Sequence, residues 1–137
     1  MEKVLPTRAV KAVITNEQGA ILFLQRNGSA RADGQSNWDL PGGLVEDDES
    51  DITALTREVE EELGRKAEVG QLLGKWSFLR KFDEHIIEVT NYAVSLDTYD
   101  TAQFKLSEEH TSFDFIGKTA LQNLEVKDPS IFNALGV

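Results

Sequence analysis

The chain has 137 residues, 40% hydrophobic and 28% charged, the make-up of one globular domain with room for a single core. Its net charge of −10 argues against nucleic acid polymers and anionic membranes as bulk partners, because basic surfaces meet both, while leaving room for a small phosphorylated substrate held through cations. The absence of cysteine excludes disulfides, thiolate metal sites and cysteine nucleophiles.

The start, Met1 to Pro6, carries no apolar run of the kind that opens a secretory leader, and no span approaches membrane length, so a cytoplasmic location is the expectation. Residues 8–15 are rich in β-branched side chains and read as a strand. Asn16-Glu17-Gln18-Gly19 is a turn, and Ala20 to Gln25 return as a second apolar strand, giving a hairpin closed by Arg26. Residues 27–37 are polar and glycine-bearing, hence a loop that carries Arg31. Trp38 to Leu40 form a short strand leading into a Pro41-Gly42-Gly43 turn, with Trp38 expected in the core rather than as a base-stacking platform.

A helix follows. Asp47, Asp48 or Ser50 can cap it, Asp51 suits its first turn, and Gly64 suits a left-handed stop. Ile52, Leu55, Val59 and Leu63 make its apolar stripe. Its second half, Arg57-Glu58-Val59-Glu60-Glu61-Glu62-Leu63-Gly64, is crowded with negative charge. Like charges at helical spacing repel by a few tenths of a kcal/mol per pair, so something should offset them. A divalent cation is the obvious candidate: Glu58, Glu61 and Glu62 fall within roughly a third of a turn of one another. An all-oxygen site of this kind suits Mg²⁺ or Mn²⁺ and invites phosphate chemistry. Arg57, on the flank of the patch, can pair with Glu61 one turn on or reach back to Glu49. Without a cation, at least one clustered glutamate should have a raised pKa.

Ala67 to Arg80 read as one bent strand or two short ones, Lys81 to Glu84 as a turn, and His85 to Leu96 as an alternating strand with Ile87, Val89, Asn91 and Ala93 on one side. Asp97 to Leu106 are a loop, Phe113 to Ile116 a short strand, Gly117 to Leu124 a helix, and Asp128 to Leu135 a second helix with Pro129 at its first position. Strands and helices in this order give an α+β domain, a mixed β-sheet flanked by helices.

Gly43, Glu49, Arg57-Glu58-Val59, Glu61-Glu62 and Gly64, at their spacings, resemble the signature box of the Nudix hydrolases. Trp38-Asp39-Leu40-Pro41-Gly42-Gly43 and Ala54 are also typical of that family; Arg65 departs from the aliphatic residue usual at the end of the box. The resemblance implies a single Nudix hydrolase domain over residues 1–137 with an α/β/α sandwich topology. It implies Glu58, Glu61, Glu62 and the Gly42 carbonyl as metal ligands, Glu58 or Glu61 as the base, and Arg57 and Glu49 as supports. Arg26 is then a candidate for substrate phosphate, and Glu108 or Glu109 a further loop acid. The implied reaction is divalent-metal-dependent hydrolysis of the pyrophosphate bond in a nucleoside diphosphate derivative, with a nucleoside triphosphate or oxidised nucleotide preferred as substrate. The alternatives are ADP-ribose or dinucleoside polyphosphate hydrolysis, or a nucleotide-binding sensor without turnover. The proline that marks many ADP-ribose hydrolases is absent around Phe78 to Lys81, the tyrosine of dinucleoside polyphosphate hydrolases is missing near Phe82, and the coenzyme A signature is not present.

Overall fold

The computed structural model describes residues 7–26, 38–80, 84–108 and 110–121. Arg31, Glu109, residues 81–83 of the expected turn and the helix expected over 128–135 lie outside them, as does the side chain of Arg26.

Two sheets share the core. The larger has the order β4-β1-β6-β5, built from β1 (Thr7–Val13), β4 (Gly42–Leu44), β5 (Ala67–Arg80) and β6 (His85–Leu96). In it β1 runs antiparallel to β4 but parallel to β6, so the sheet is mixed as expected. The smaller has the order β3-β2-β7, with β2 (Ile21–Arg26) between β3 (Trp38–Asp39) and β7 (His110–Ile116). Helix α1 (Asp51–Leu63) packs on one face, and a short α2 (Lys118–Leu121) follows β7. Among the described residues no helix is long and apolar enough to cross a membrane.

Alternation along β1 divides its side chains between two layers. Val10, Ala12 and Ile14 join Leu22, Leu24, Val94 and Leu96 beneath Ala54, Leu55, Val59 and Leu63 of α1. Ala9 and Val13 face the other way, into clusters containing Ile87, Val89, Phe23, Leu40 and Trp76. Trp38 packs against the second of these layers, the core placement expected for it.

Three expectations need correction. The hairpin exists only at its tip, where Thr15 bridges Ile21 and the Leu22 amide donates to the Ile14 carbonyl at 2.9 Å. Farther along, both edges of β1 are taken by β4 and β6, so β2 has no free ladder to join and enters the second sheet instead. The second correction concerns Gly42 and Gly43, which are not a turn but the start of β4, paired with Lys11 and Val10. A side chain at Gly42 would collide with the Val10 carbonyl, so only glycine lets the edge strand lie this close. Finally, Ile52 is 54% exposed. The first turn of α1 is held instead through Asp51, which takes Arg8 at 2.7 Å and the Tyr92 hydroxyl at 3.1 Å.

Of the three possible caps Ser50 is used: its Oγ accepts from the Thr53 amide at 3.1 Å. Gly64 ends the helix at φ 65°, as its position implied. The strand over Ala67–Arg80 is bent, with register breaks between Val69 and Leu72 and between Leu72 and Gly74. Ser50→Ala should lower stability by about 1 kcal/mol, read from the midpoint of urea unfolding at unchanged slope.

Candidate active site

The edge formed by β4 and the acidic face of α1 gathers most of the residues singled out from the sequence. Arg57 is its hub. Its Nε and one terminal nitrogen each lie 2.8 Å from an oxygen of Glu49, a two-pronged contact that fixes the guanidinium plane. The other terminal nitrogen donates to Glu58 Oε1 at 2.9 Å and stands 3.6 Å from Glu61. Both pairings open to Arg57 in the sequence are therefore made, the one to Glu49 more tightly. Glu49 is itself fixed by the Glu46 amide at 3.1 Å.

Gly43 explains how Glu58 fits. A Cβ there would lie 2.6 Å from the Glu58 carboxyl carbon, so the carboxylate occupies space that any side chain would fill. Next to it, the Gly42 amide donates to Glu62 Oε1 at 2.7 Å. The contact that Gly42 makes with the cluster is thus through its N–H. Glu62 is only 7% exposed, whereas the Glu61 side chain is mostly in solvent.

Burial drives the electrostatics. Glu62 is pushed from an ordinary 4.5 up to about 8 by desolvation, opposed by Lys11 and the Gly42 amide and reinforced by Glu58 and Asp39. Glu58 is also raised by burial, against the pull of Arg57, and it feels Glu61 as well. Glu49 moves the other way, to about 2, because Arg57 hydrogen-bonds its charged form. Arg57 is correspondingly raised, by Glu49 first. Carboxylates within one short segment are thus driven in opposite directions, a pattern found at sites of chemistry.

A NUDIX domain family model matches residues 5–130, nearly the whole chain. The chain belongs to the Nudix family. That family acts on pyrophosphate bonds. Among curated relatives, the CTP pyrophosphohydrolase of Escherichia coli K12 is 39% identical over 94 residues, 69% of this chain and 66% of that protein. A MutT-like protein of Streptomyces ambofaciens is 41% identical over 66 residues, 48% of this chain and 39% of its own. The matched stretches thus span about two thirds and two fifths of those relatives. Among solved structures, a MutT protein from Methanosarcina mazei Go1 superposes with a TM-score of 0.77 at 30% identity, covering 96% of this chain and 91% of the other. The α+β sandwich is therefore the Nudix fold.

Nudix hydrolases need divalent cations, and the donor set here fits one. Glu58 and Glu62 carry hard carboxylate oxygens whose charged forms burial disfavours, and with Glu61 at the rim these are the groups that would hold such an ion. As the side chains stand, no three acidic or histidine groups among the described residues close into a cage. Arg57 draws Glu58 and Glu61 toward itself, supplying part of the missing positive charge. Ser107 donates its amide to the Glu62 carbonyl at 3.3 Å, which sets the exposed Glu108 beside the last turn of α1.

Lys11 was not singled out from the sequence. Its ammonium lies 2.9 Å from Asp39 Oδ2 and 3.4 Å from the Leu40 carbonyl, and its charge acts on both Glu58 and Glu62. The signal was present as a lysine interrupting the apolar run Ala9-Val10-Lys11-Ala12-Val13.

A carboxyl whose folded-state pKa is raised favours the folded state below its unfolded value, and that contribution is lost as pH climbs through the folded value. After treatment with EDTA, thermal stability should therefore fall between about pH 4.5 and pH 8. Glu62→Gln should flatten this decline in a calorimetric scan series; an unchanged slope would remove Glu62 as its source.

Proposed function

We propose that the chain hydrolyses the pyrophosphate bond of a nucleoside diphosphate derivative, with a nucleoside triphosphate as its preferred substrate class. The observation that carries this reading is Arg57 clamped by Glu49 and holding Glu58 next to the buried Glu62. A solvated helix face needs no such arrangement. Support for the triphosphate comes from the relative named as a CTP pyrophosphohydrolase, 39% identical over the shared stretch.

Divalent cations gathered by Glu58, Glu61 and Glu62, with the Gly42 carbonyl as a further oxygen donor, would neutralise charge on the diphosphate and make the attacking water more acidic. The chain's own residues do the rest. Glu58 or Glu61 takes the proton as the water oxygen bonds to phosphorus and the bridging oxygen departs with its electron pair. Arg57 and Glu49 keep those carboxylates from swinging away. Glu108 would be the added loop acid, and Arg26 at the end of β2 the candidate for substrate phosphate.

With Mg²⁺ and a panel of nucleoside diphosphate derivatives, the wild-type chain should release product, and Glu61→Gln and Glu62→Gln should each depress turnover sharply. Tight nucleotide binding without product from any compound would replace the enzyme by a sensor module. Arg57→Lys keeps the charge but loses the fork, so kcat should fall about 10- to 100-fold. Calorimetric titration with Mn²⁺ should show weaker binding to Glu58→Gln; equal affinity would strike Glu58 from the ligand set.

A further inference from the structure

Glu49 holds Arg57, yet Glu49 belongs to neither a strand nor a helix. It lies in the link of residues 45–50 that joins β4 to α1. Val45 packs on the core at one end, but Glu46, Asp47, Asp48 and Ser50 are exposed, so burial does little to fix the course of the link. Within it, the Glu49 amide donates to the Glu46 carbonyl at 3.0 Å and the Glu46 amide to Glu49 Oε1 at 3.1 Å. These contacts shape the link without tying it to the sheet.

Arg8 supplies that tie, and at both ends. Its backbone carbonyl accepts from the Val45 amide at 2.9 Å, and one terminal nitrogen of its side chain donates to the Glu49 carbonyl at 3.4 Å. The other terminal nitrogen reaches Asp51 Oδ1 at 2.7 Å, and Asp51 Oδ2 accepts from the Tyr92 hydroxyl at 3.1 Å. Tyr92 in turn packs against the core beneath α1. Both oxygens of Asp51 are thus engaged. A guanidinium is planar, so fixing one nitrogen on Asp51 aims the other at Glu49.

The side chain of Arg8 is about half exposed, at 49%. An ion pair this open to water contributes little to folding, because solvent screens it. What the contact does determine is where the Glu49 backbone sits. The carboxylate of that same residue takes two prongs of Arg57, and Arg57 gives its remaining nitrogen to Glu58. Contacts therefore run Arg8, Glu49, Arg57, Glu58, from the start of β1 to a carboxylate of the acidic cluster, without passing through the apolar core.

We propose that Arg8, outside the signature box, is a positioning residue for pyrophosphate hydrolysis, setting Glu58 in place through Glu49 and Arg57. This rests on the pyrophosphohydrolase reading and extends the support of its carboxylates to β1.

The test follows kcat and KM with Mg²⁺ on the nucleoside triphosphate that the wild type turns over best. The variants are Arg8→Ala, Arg8→Lys, Glu49→Ala and the double variant of Arg8→Ala with Glu49→Ala. Arg8→Ala should lower kcat about five- to tenfold and leave KM within about twofold, since no group that touches substrate is removed. Arg8→Lys keeps the pair with Asp51 but has no second prong for Glu49. It should lose nearly as much kcat at an unchanged urea midpoint, and it covers the case in which the alanine variant fails to fold. In the Glu49→Ala background, Arg8→Ala should cost nothing further, because the connection is already cut. Full activity in Arg8→Lys, or losses that multiply in the double variant, would make Arg8 a structural anchor of α1 and overturn the proposal. If the wild type turned over nothing, the pyrophosphohydrolase reading would fail by itself. Calorimetric titration of the same proteins with Mn²⁺ would still decide. Affinity should fall about fivefold in Arg8→Ala and no further in the double variant than in Glu49→Ala. Equal affinity in Arg8→Ala and the wild type would overturn the proposal.

Discussion

The arrangement depends on keeping acidic groups close together with two of them, Glu58 and Glu62, largely out of water. Arg57 makes this possible by giving Glu49 two parallel hydrogen bonds and offering its remaining terminal nitrogen to Glu58. Those bonds fix the plane of the guanidinium, which a flexible ammonium could not do. That fixed plane supports the seating of Glu58 over Gly43, while Glu62 is held independently by the Gly42 amide. The glycines of β4 belong to the same device: they let the edge strand approach β1 and leave room for carboxylates in place of side chains.

Much of this was legible in the sequence, for reasons that can be named. Ser50, Gly64 and the acidic run define a helix through local rules, since capping and periodicity involve residues only a few positions apart. The pairing of Arg57 with Glu49 was likewise readable, because it joins a helix to the residues just before it. The sides of β6 followed from alternation, with Ile87, Val89 and Asn91 buried and Ile86 and Glu88 exposed. What escaped depends on distant pairing. Nothing near residues 8–25 says that β1 will give both its edges to β4 and β6, so local signals extend the hairpin beyond its tip. Ile52 has the periodicity of a core residue, yet the polar contacts of Asp51 decide how the first turn sits. Lys11 gains its meaning only when β3 brings Asp39 to it.

The two faces of the larger sheet carry different kinds of information. On the α1 side the contacts are apolar and anchor the helix that presents the acids. On the other side a lysine and an asparagine interrupt an otherwise apolar surface. The family relationship speaks to the first of these. The second lies outside the signature box, which therefore does not determine it.

The irregular course of β5 has a bearing on behaviour in concentrated solution. This strand is the outermost of its sheet, fourteen residues long, with Leu72 and Leu73 exposed. A straight strand of that length and greasiness would offer a continuous template for edge-to-edge aggregation. The register breaks on either side of Leu72 twist and interrupt that template at its most apolar point, so a foreign strand finds no long uninterrupted run against which to zip.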